Sequence, residues 1–387
     1  MPFPNPANSS LPLSLFEEGD RVLRICNACR YCEGFCAVFP AMERRLDFAE
    51  KDLNYLANLC HDCGECYYSC QYAPPHEFAL NLPQTLAEIR RESFRKYAWP
   101  GWGAALFRRN LLALILGALV TPLVVFLLLR TYVPSSVLFS AHTDREGAFY
   151  QVVPHSVMAA AFGAAGLLIF IALMAGFLRF WREAGGPLKT LLVPAIWRQA
   201  VSDTMRLRYL DGGGDDGADG CAYPSEVPSH ARRWFHHLTF YGFLLCFAAT
   251  AIAAFYHNVL GREAPYPWLS LPVMLGSIGG VGLLVGPVGL LWLKPMRDPE
   301  LKNPIQSRMD IAFLAMLFLT SLTGFLLLLL RESSAMGVLL AIHLGIVMGL
   351  FLTMPYGKFV HGIYRFGALL CNASEERWAK AGGPRVK

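Results

Sequence analysis

Six long apolar stretches dominate the later part of the chain, near residues 110–130, 155–180, 235–257, 269–294, 310–331 and 334–360. Each reaches the roughly 20 residues that a helix needs to cross a bilayer core. The pattern therefore predicts an all-α membrane bundle of six transmembrane helices. Connections between the stretches are short except for 181–234, which carries Asp211-Gly-Gly-Gly-Asp-Asp-Gly-Ala-Asp-Gly220. That run reads as a flexible acidic turn region.

Lys and Arg set the orientation. Arg90, Arg91, Arg95, Lys96, Arg108 and Arg109 precede the first stretch, and Arg182, Lys189, Arg198, Arg206, Arg208, Arg232 and Arg233 fill the long connection. Arg297, Lys302 and Arg308 lie in the fourth connection, and Arg365, Arg377, Lys380, Arg385 and Lys387 follow the last stretch. The opposite connections are poor, with Arg145 in the first and Arg262 in the third. Arg130 and Arg331, at stretch ends, read as snorkelling side chains. Both termini are thus expected on the cytoplasmic side. The segment Met1–Asp20 lacks a basic region followed by an apolar one, so no cleavable signal is expected.

Ahead of the apolar part, eight of the eleven cysteines fall between Cys26 and Cys70. They form two runs, Cys26-Asn-Ala-Cys29-Arg-Tyr-Cys32-Glu-Gly-Phe-Cys36 and Cys60-His-Asp-Cys63-Gly-Glu-Cys66-Tyr-Tyr-Ser-Cys70. Both have the C-x2-C-x2-C-x3-C spacing of bacterial ferredoxins. Three cysteines two residues apart wrap a loop around three corners of a cubane, and the fourth points away to ligate the other cluster. The expected ligand sets for two [4Fe–4S] clusters are Cys26, Cys29, Cys32 and Cys70, and Cys60, Cys63, Cys66 and Cys36. Pro40 and Pro74 follow each run by four residues, later than the directly adjacent proline of many ferredoxins. Zinc is the competing reading, but zinc sites commonly use separated C-x2-C pairs and need no doubled run of four. Reduced cytoplasmic thiols favour metal ligation over disulfides. Isolated Cys221, Cys246 and Cys371 read as small buried hydrophobes. His61 and His76, beside the runs, read as supporting or surface residues.

Composition narrows the class. Of 387 residues, 54% are hydrophobic and 16% charged, against roughly 25% charge in soluble domains. The net charge of +5 is scattered around apolar segments, which suits membrane topology and excludes a nucleic-acid partner. The expected domains are 1–100, a ferredoxin-like, α-helical two-cluster iron–sulfur domain; 101–365, a haem-binding membrane domain; and 366–387, a cytoplasmic tail.

Histidines at the membrane stretches are candidate axial ligands of b-type haem. His343 and His361 are eighteen residues apart, which on one helix is five full turns and about 27 Å of rise. Both would then face the same way, although Pro355 lies between them and would kink the helix. His236, His237 and His257 mark the two ends of the third stretch. An inner haem would pair His236 or His237 with His361. An outer haem would pair His343 with His257 or His155, since His155 opens the second stretch on the outer side. Interface placement is the bland alternative for His155 and His257. Gly279, Gly282 and Gly286 share one face of the fourth stretch, which reads as close helix packing, or more sharply as a surface for a haem plane. Lys358 and Asp310, at inner stretch ends, read as interfacial groups that could also meet a haem propionate or a quinone.

Two ferredoxin runs followed by six spans, with Phe235-His-His-Leu-Thr-Phe-Tyr-Gly-Phe243, Ala264-Pro-Tyr-Pro267 and Met354-Pro-Tyr-Gly-Lys-Phe-Val-His361, resemble the tricarballylate or citrate utilisation protein B family over nearly the whole chain. The membrane half is also similar to the haem-bearing gamma subunit of respiratory nitrate reductase and the membrane subunit of heterodisulfide reductases. The resemblance implies a multi-pass protein of a bacterial inner membrane. It would take electrons from a separate FAD-containing dehydrogenase that oxidises tricarballylate, and pass them through clusters and one or two b haems to quinone. No G-x-G-x-x-G follows a strand pattern, so a flavin or nicotinamide belongs to the partner. A heterodisulfide-type thiol relay is the competing function, but the adjacent Cys-Cys pairs of such catalytic subunits do not occur here. A redox-sensing membrane anchor is the third possibility.

Overall fold

A computed structural model describes residues 13–143, 146–186, 188–212 and 220–382. Arg145, Arg385, Lys387 and most of the acidic run between Asp211 and Gly220 lie outside the described residues. Among the described residues the regular structure is helical, apart from one two-stranded antiparallel hairpin, Cys221–Ala222 with Pro228–Ser229.

The head is built from Leu15–Cys29, Val38–Glu43, Glu50–Leu59, Glu65–Tyr68 and Leu82–Tyr97. Its helices start where local chemistry allows. Ser14 and Glu17 form a reciprocal capping box, and Asn81 accepts from Gln84 N at 3.1 Å just before Pro83, satisfying otherwise orphaned donors. Leu15–Cys29 ends where Arg30 turns left-handed, with φ 56°. Apolar residues at helical spacing (Val22 and Leu23, Leu53 and Leu56, Leu86 and Ile89) meet in one core.

That core does not stop at the head. It continues through Phe180 and Trp181 at the end of the second span and through Tyr364, Leu369 and Leu370 of the helix Val360–Lys380. Residues 366–380 are therefore a continuation of that helix, docked on the head, rather than a separate tail. Polar contacts fix the dock. Glu375 receives Arg45 at 2.5 Å and Arg44 at 3.1 Å, while Arg45 also holds Asp52 at 2.7 Å. The Arg45 side chain is only 4% exposed, and removing one partner of a buried pair leaves an uncompensated charge. Arg45 keeps Asp52 when Glu375 is lost, so Glu375→Gln is expected to destabilise the head by about 1.5–3 kcal/mol, the range for charge-assisted hydrogen bonds, read as a lowered melting temperature of the solubilised protein with membrane spans unchanged in helicity.

Among the described residues, six helices are long and apolar enough to cross a membrane: Asn110–Tyr132, His155–Gly185, Ala231–Leu260, Leu271–Leu293, Pro304–Leu329 and Met336–Tyr356. The third and fourth pack most closely. A Cβ on Gly279 would lie 2.7 Å from the Gly242 carbonyl oxygen, and one on Gly282 would lie 2.7 Å from that of Leu238. The glycine face is thus filled by the third span and leaves no room for a haem plane; small residues let the two backbones approach. Gly279→Leu is expected to cost more than the usual 1–3 kcal/mol or so of overpacking, because the obstructing atoms are backbone. Accumulation in the membrane should fall sharply, while Gly163→Leu, at a helical position with open space, should be much milder.

The sixth span departs from the sequence reading. Its α-helix ends at Thr353, a tight turn covers Met354–Tyr356, and Gly357 is extended before a new helix begins at Val360. Pro355 cannot continue the hydrogen-bond ladder, and here it ends the helix rather than kinking it. His343 and His361 therefore sit on different helices, and the five-turn alignment expected of them does not hold.

Candidate metal centres

The loop after Leu15–Cys29 and the short helix Glu65–Tyr68 bring the two cysteine runs side by side. One cavity is lined by Cys26, Cys29, Cys32 and Cys70. A neighbouring cavity is lined by Cys36, Cys60, Cys63 and Cys66, with Cys66 also forming part of the wall of the first. The fourth cysteine of each run thus crosses to the other cavity. Among the described residues no three His, Cys, Asp or Glu side chains converge closely enough for a single ion. Four thiols on one zinc would stand about 3.8 Å apart, whereas a cubane needs them spread around a larger body. The donors fit that larger group. Burial, then the neighbouring Cys70, pushes the Cys26 and Cys32 thiols up to about 12.

The two cavities differ in surroundings. Around the first, Tyr31, Glu33 and Gly34 are exposed. Around the second, Asp62 and Gly64 are buried, and guanidiniums reach in from three separate membrane-side segments. Arg232 donates to the His61 and Asp62 carbonyls at 2.8 and 3.0 Å. Arg297 forms an ion pair with Asp62 at 2.7 Å; burial opposes ionisation, but Arg297 still holds the Asp62 carboxyl below its ordinary range. Arg365 donates to the Leu59 carbonyl at 2.9 Å and to His61 Nε2. The hairpin completes the cover: Ala222 N donates to Glu65 at 2.7 Å, and Cys221 packs beside Cys63.

His61 is therefore not a surface residue. Burial, then Arg365 and Arg232, holds its imidazole well below the ordinary value, so the ring is neutral and its Nε2 accepts from Arg365. One helical turn before Arg365 stands His361. Its ring is 6.3 Å, centroid to centroid, from that of His236, with the planes 77° apart. Two imidazoles on opposite sides of one metal, each bonded at about 2 Å, would place their centroids roughly 6 Å apart. His361 Nδ1 donates to the Lys358 carbonyl at 2.5 Å, which fixes the tautomer with Nε2 free, as expected of an axial ligand. Burial, with Lys358 beside it, pushes His361 down to about 4, so it is neutral. His236 Nδ1 is buried with no hydrogen-bond partner among the described residues. The pair fits a haem iron. His237 turns away and lies 5.6 Å from Tyr241, so the inner candidate is His236.

The outer histidines do not come together as the sequence suggested. His155 and His257 stack face to face at 3.5 Å, with planes 26° apart, too close to hold an iron between them. His343 faces the fifth span, with Nδ1 3.0 Å from the Thr323 hydroxyl. No second ring opposes it among the described residues, so these three residues in this arrangement do not fit a second bis-histidine haem.

Residues 19–96 match the model of the Citrate utilization protein B Fer4-like domain, and residues 105–382 match that of Citrate utilization protein B. The chain is 52% identical over 368 residues to Citrate utilization protein B of Escherichia coli, covering 95% of this chain and 94% of that protein. No solved structure matches. Matched in both its head and its membrane part, the chain belongs to the Citrate utilization protein B family.

Proposed function

We propose that this chain carries electrons from a reduced FAD-containing dehydrogenase, through two [4Fe–4S] clusters and a b-type haem, to the quinone pool. The dehydrogenase is one that oxidises tricarballylate. The protein sits in a bacterial inner membrane, with both termini cytoplasmic, where the Lys- and Arg-rich connections lie.

One observation carries the reading: the candidate sites are joined in series by this chain's own residues. Cys60, on the second cavity, is followed by His61; His61 accepts from Arg365; and Arg365 is one helical turn from His361. Clusters and haem, when bound, supply one-electron redox chemistry. Cys26, Cys29, Cys32 and Cys70 would hold the first cluster, Cys60, Cys63, Cys66 and Cys36 the second, and His236 with His361 the haem. The exposed loop around Tyr31, 68% exposed, makes the first site the side that a flavoprotein can approach. Arg232, Arg297 and Arg365 place positive charge around the second site, which favours its reduced, more negative state over that of the first. That difference directs electrons inward.

Mixing the purified protein anaerobically with the dehydrogenase and tricarballylate tests this. Reduction of the iron–sulfur signal, followed by reduction of b-haem bands and then of added quinone, is expected. Reduction of the dehydrogenase flavin with all three left oxidised would overturn the reading.

A further inference from the structure

A cleft lies where the first, fifth and sixth spans meet, with Ala113, Ala312, Phe313 and Leu350 among its walls and Asn110 and Lys358 at its polar end. We propose that it is the site where the quinone headgroup binds, with Lys358 as the group that meets a headgroup oxygen. The proposal rests on the quinone-linked function above and assigns that function a place.

Charge at this end exceeds what the fold needs. Asp310 is engaged by Lys294 on one carboxylate oxygen and by Lys358 on the other, the latter at 2.7 Å. Lys294 alone would neutralise Asp310. A second ammonium, 16% exposed at the edge of the apolar region, adds an excess positive charge that is costly there and marks function by default. An ammonium has three donors, so Lys358 keeps donors beyond the one on Asp310. Asn110 donates to the Phe107 carbonyl at 2.6 Å and is held at the same end. The remaining wall is aliphatic and aromatic, the combination typical of sites for apolar ligands with one polar end.

Position supplies the link to electron transfer. The Lys358 carbonyl is the acceptor for His361 Nδ1, so one residue touches both the histidine pair and the cleft. The break at Met354–Gly357 makes this possible, because it brings Lys358 beside Asp310 instead of continuing the sixth span. Reduction of a quinone to a quinol takes two electrons and two protons. The electrons come from the relay. Two protons come from solvent at the polar end of the cleft, so two carbonyl oxygens become two hydroxyls, and the Lys358 ammonium donates a hydrogen bond to one of those oxygens.

The test uses the full chain in detergent with its clusters and haem, and an azido-substituted short-chain quinone as photoaffinity probe. Cross-links in the wild-type protein are expected on the segments 110–114, 309–316 or 350–359. Ala312→Trp, which fills the cleft, should weaken binding at least tenfold with unchanged cluster and haem spectra, and Lys358→Gln should weaken it likewise. Cross-links confined to another surface would overturn the site while leaving the quinone-linked function standing. No quinone binding by wild-type protein whose clusters and haem are reducible would instead overturn that function. Lys358→Gln that shifts the haem midpoint potential with quinone affinity unchanged would assign Lys358 to a haem propionate and overturn its role here.

Discussion

Cys63→Ser is expected to reduce electron transfer from the reduced dehydrogenase to quinone to background, while the dehydrogenase flavin is still reduced by its substrate. Cys63 lines the inner of the two cavities, and every proposed route from the exposed cavity to His361 passes it. The loop around it is locked by Arg232, Arg297 and the hairpin, so its own segment cannot shift to offer another ligand in its place. Cys221 packs against Cys63 and is the one thiol that could rescue the site. The double variant Cys63→Ser, Cys221→Ser therefore closes that route. Quinone reduction at the wild-type rate in the double variant, with the second cluster gone, would show that the inner cavity is not on the path. A spin-resonance count of the clusters in each variant checks that the right one is lost.

His361→Ala is expected to remove the b-haem bands altogether while leaving both clusters assembled. The ring faces His236 at 6.3 Å, and no other histidine ring lies opposite it among the described residues. Loss of His361 leaves the His236 ring alone, with its buried Nδ1 unpartnered among the described residues. His343→Ala, by contrast, removes a ring whose partner is Thr323 and should leave the haem spectrum intact. The opposite result, haem retained without His361 and lost without His343, would move the haem to the outer half of the bundle. Pyridine haemochrome content per polypeptide distinguishes the two.

Much of this architecture was legible from the sequence because the relevant constraints are short-range. Bilayer thickness fixes the length of an apolar span, so six spans were visible as six runs. Cubane chemistry fixes the separation of Cys26, Cys29 and Cys32 and of Cys60, Cys63 and Cys66, and the crossing of Cys36 and Cys70 is seen in the cavities. What stayed hidden was long-range. Arg232, Arg297 and Arg365 lie far apart in the sequence, where each reads as an orientation charge, and only folding gathers them on residues 59–62. Cys221, nearly 160 positions from Cys63, read as an isolated hydrophobe for the same reason. His61 looked peripheral because the cysteines beside it already complete a site.

The alignment of His343 with His361 failed for a different reason: it assumed one continuous helix across Pro355 and Gly357. The proline was the available signal. Its effect depends on whether the chain past it finds other packing, and here Val360–Lys380 finds the head core. Glu375 is held by two arginines of the head, a contact that no local pattern in residues 366–380 announces.

The central claim, that cluster and haem sites lie in series within one chain, is tested most directly by optical and low-temperature spin-resonance spectra of the purified, solubilised protein before and after dithionite. The account predicts sharp reduced b-haem bands at one haem per chain, together with the signal of two interacting cubanes. Clusters without haem bands, in protein that retains His236 and His361, would contradict it.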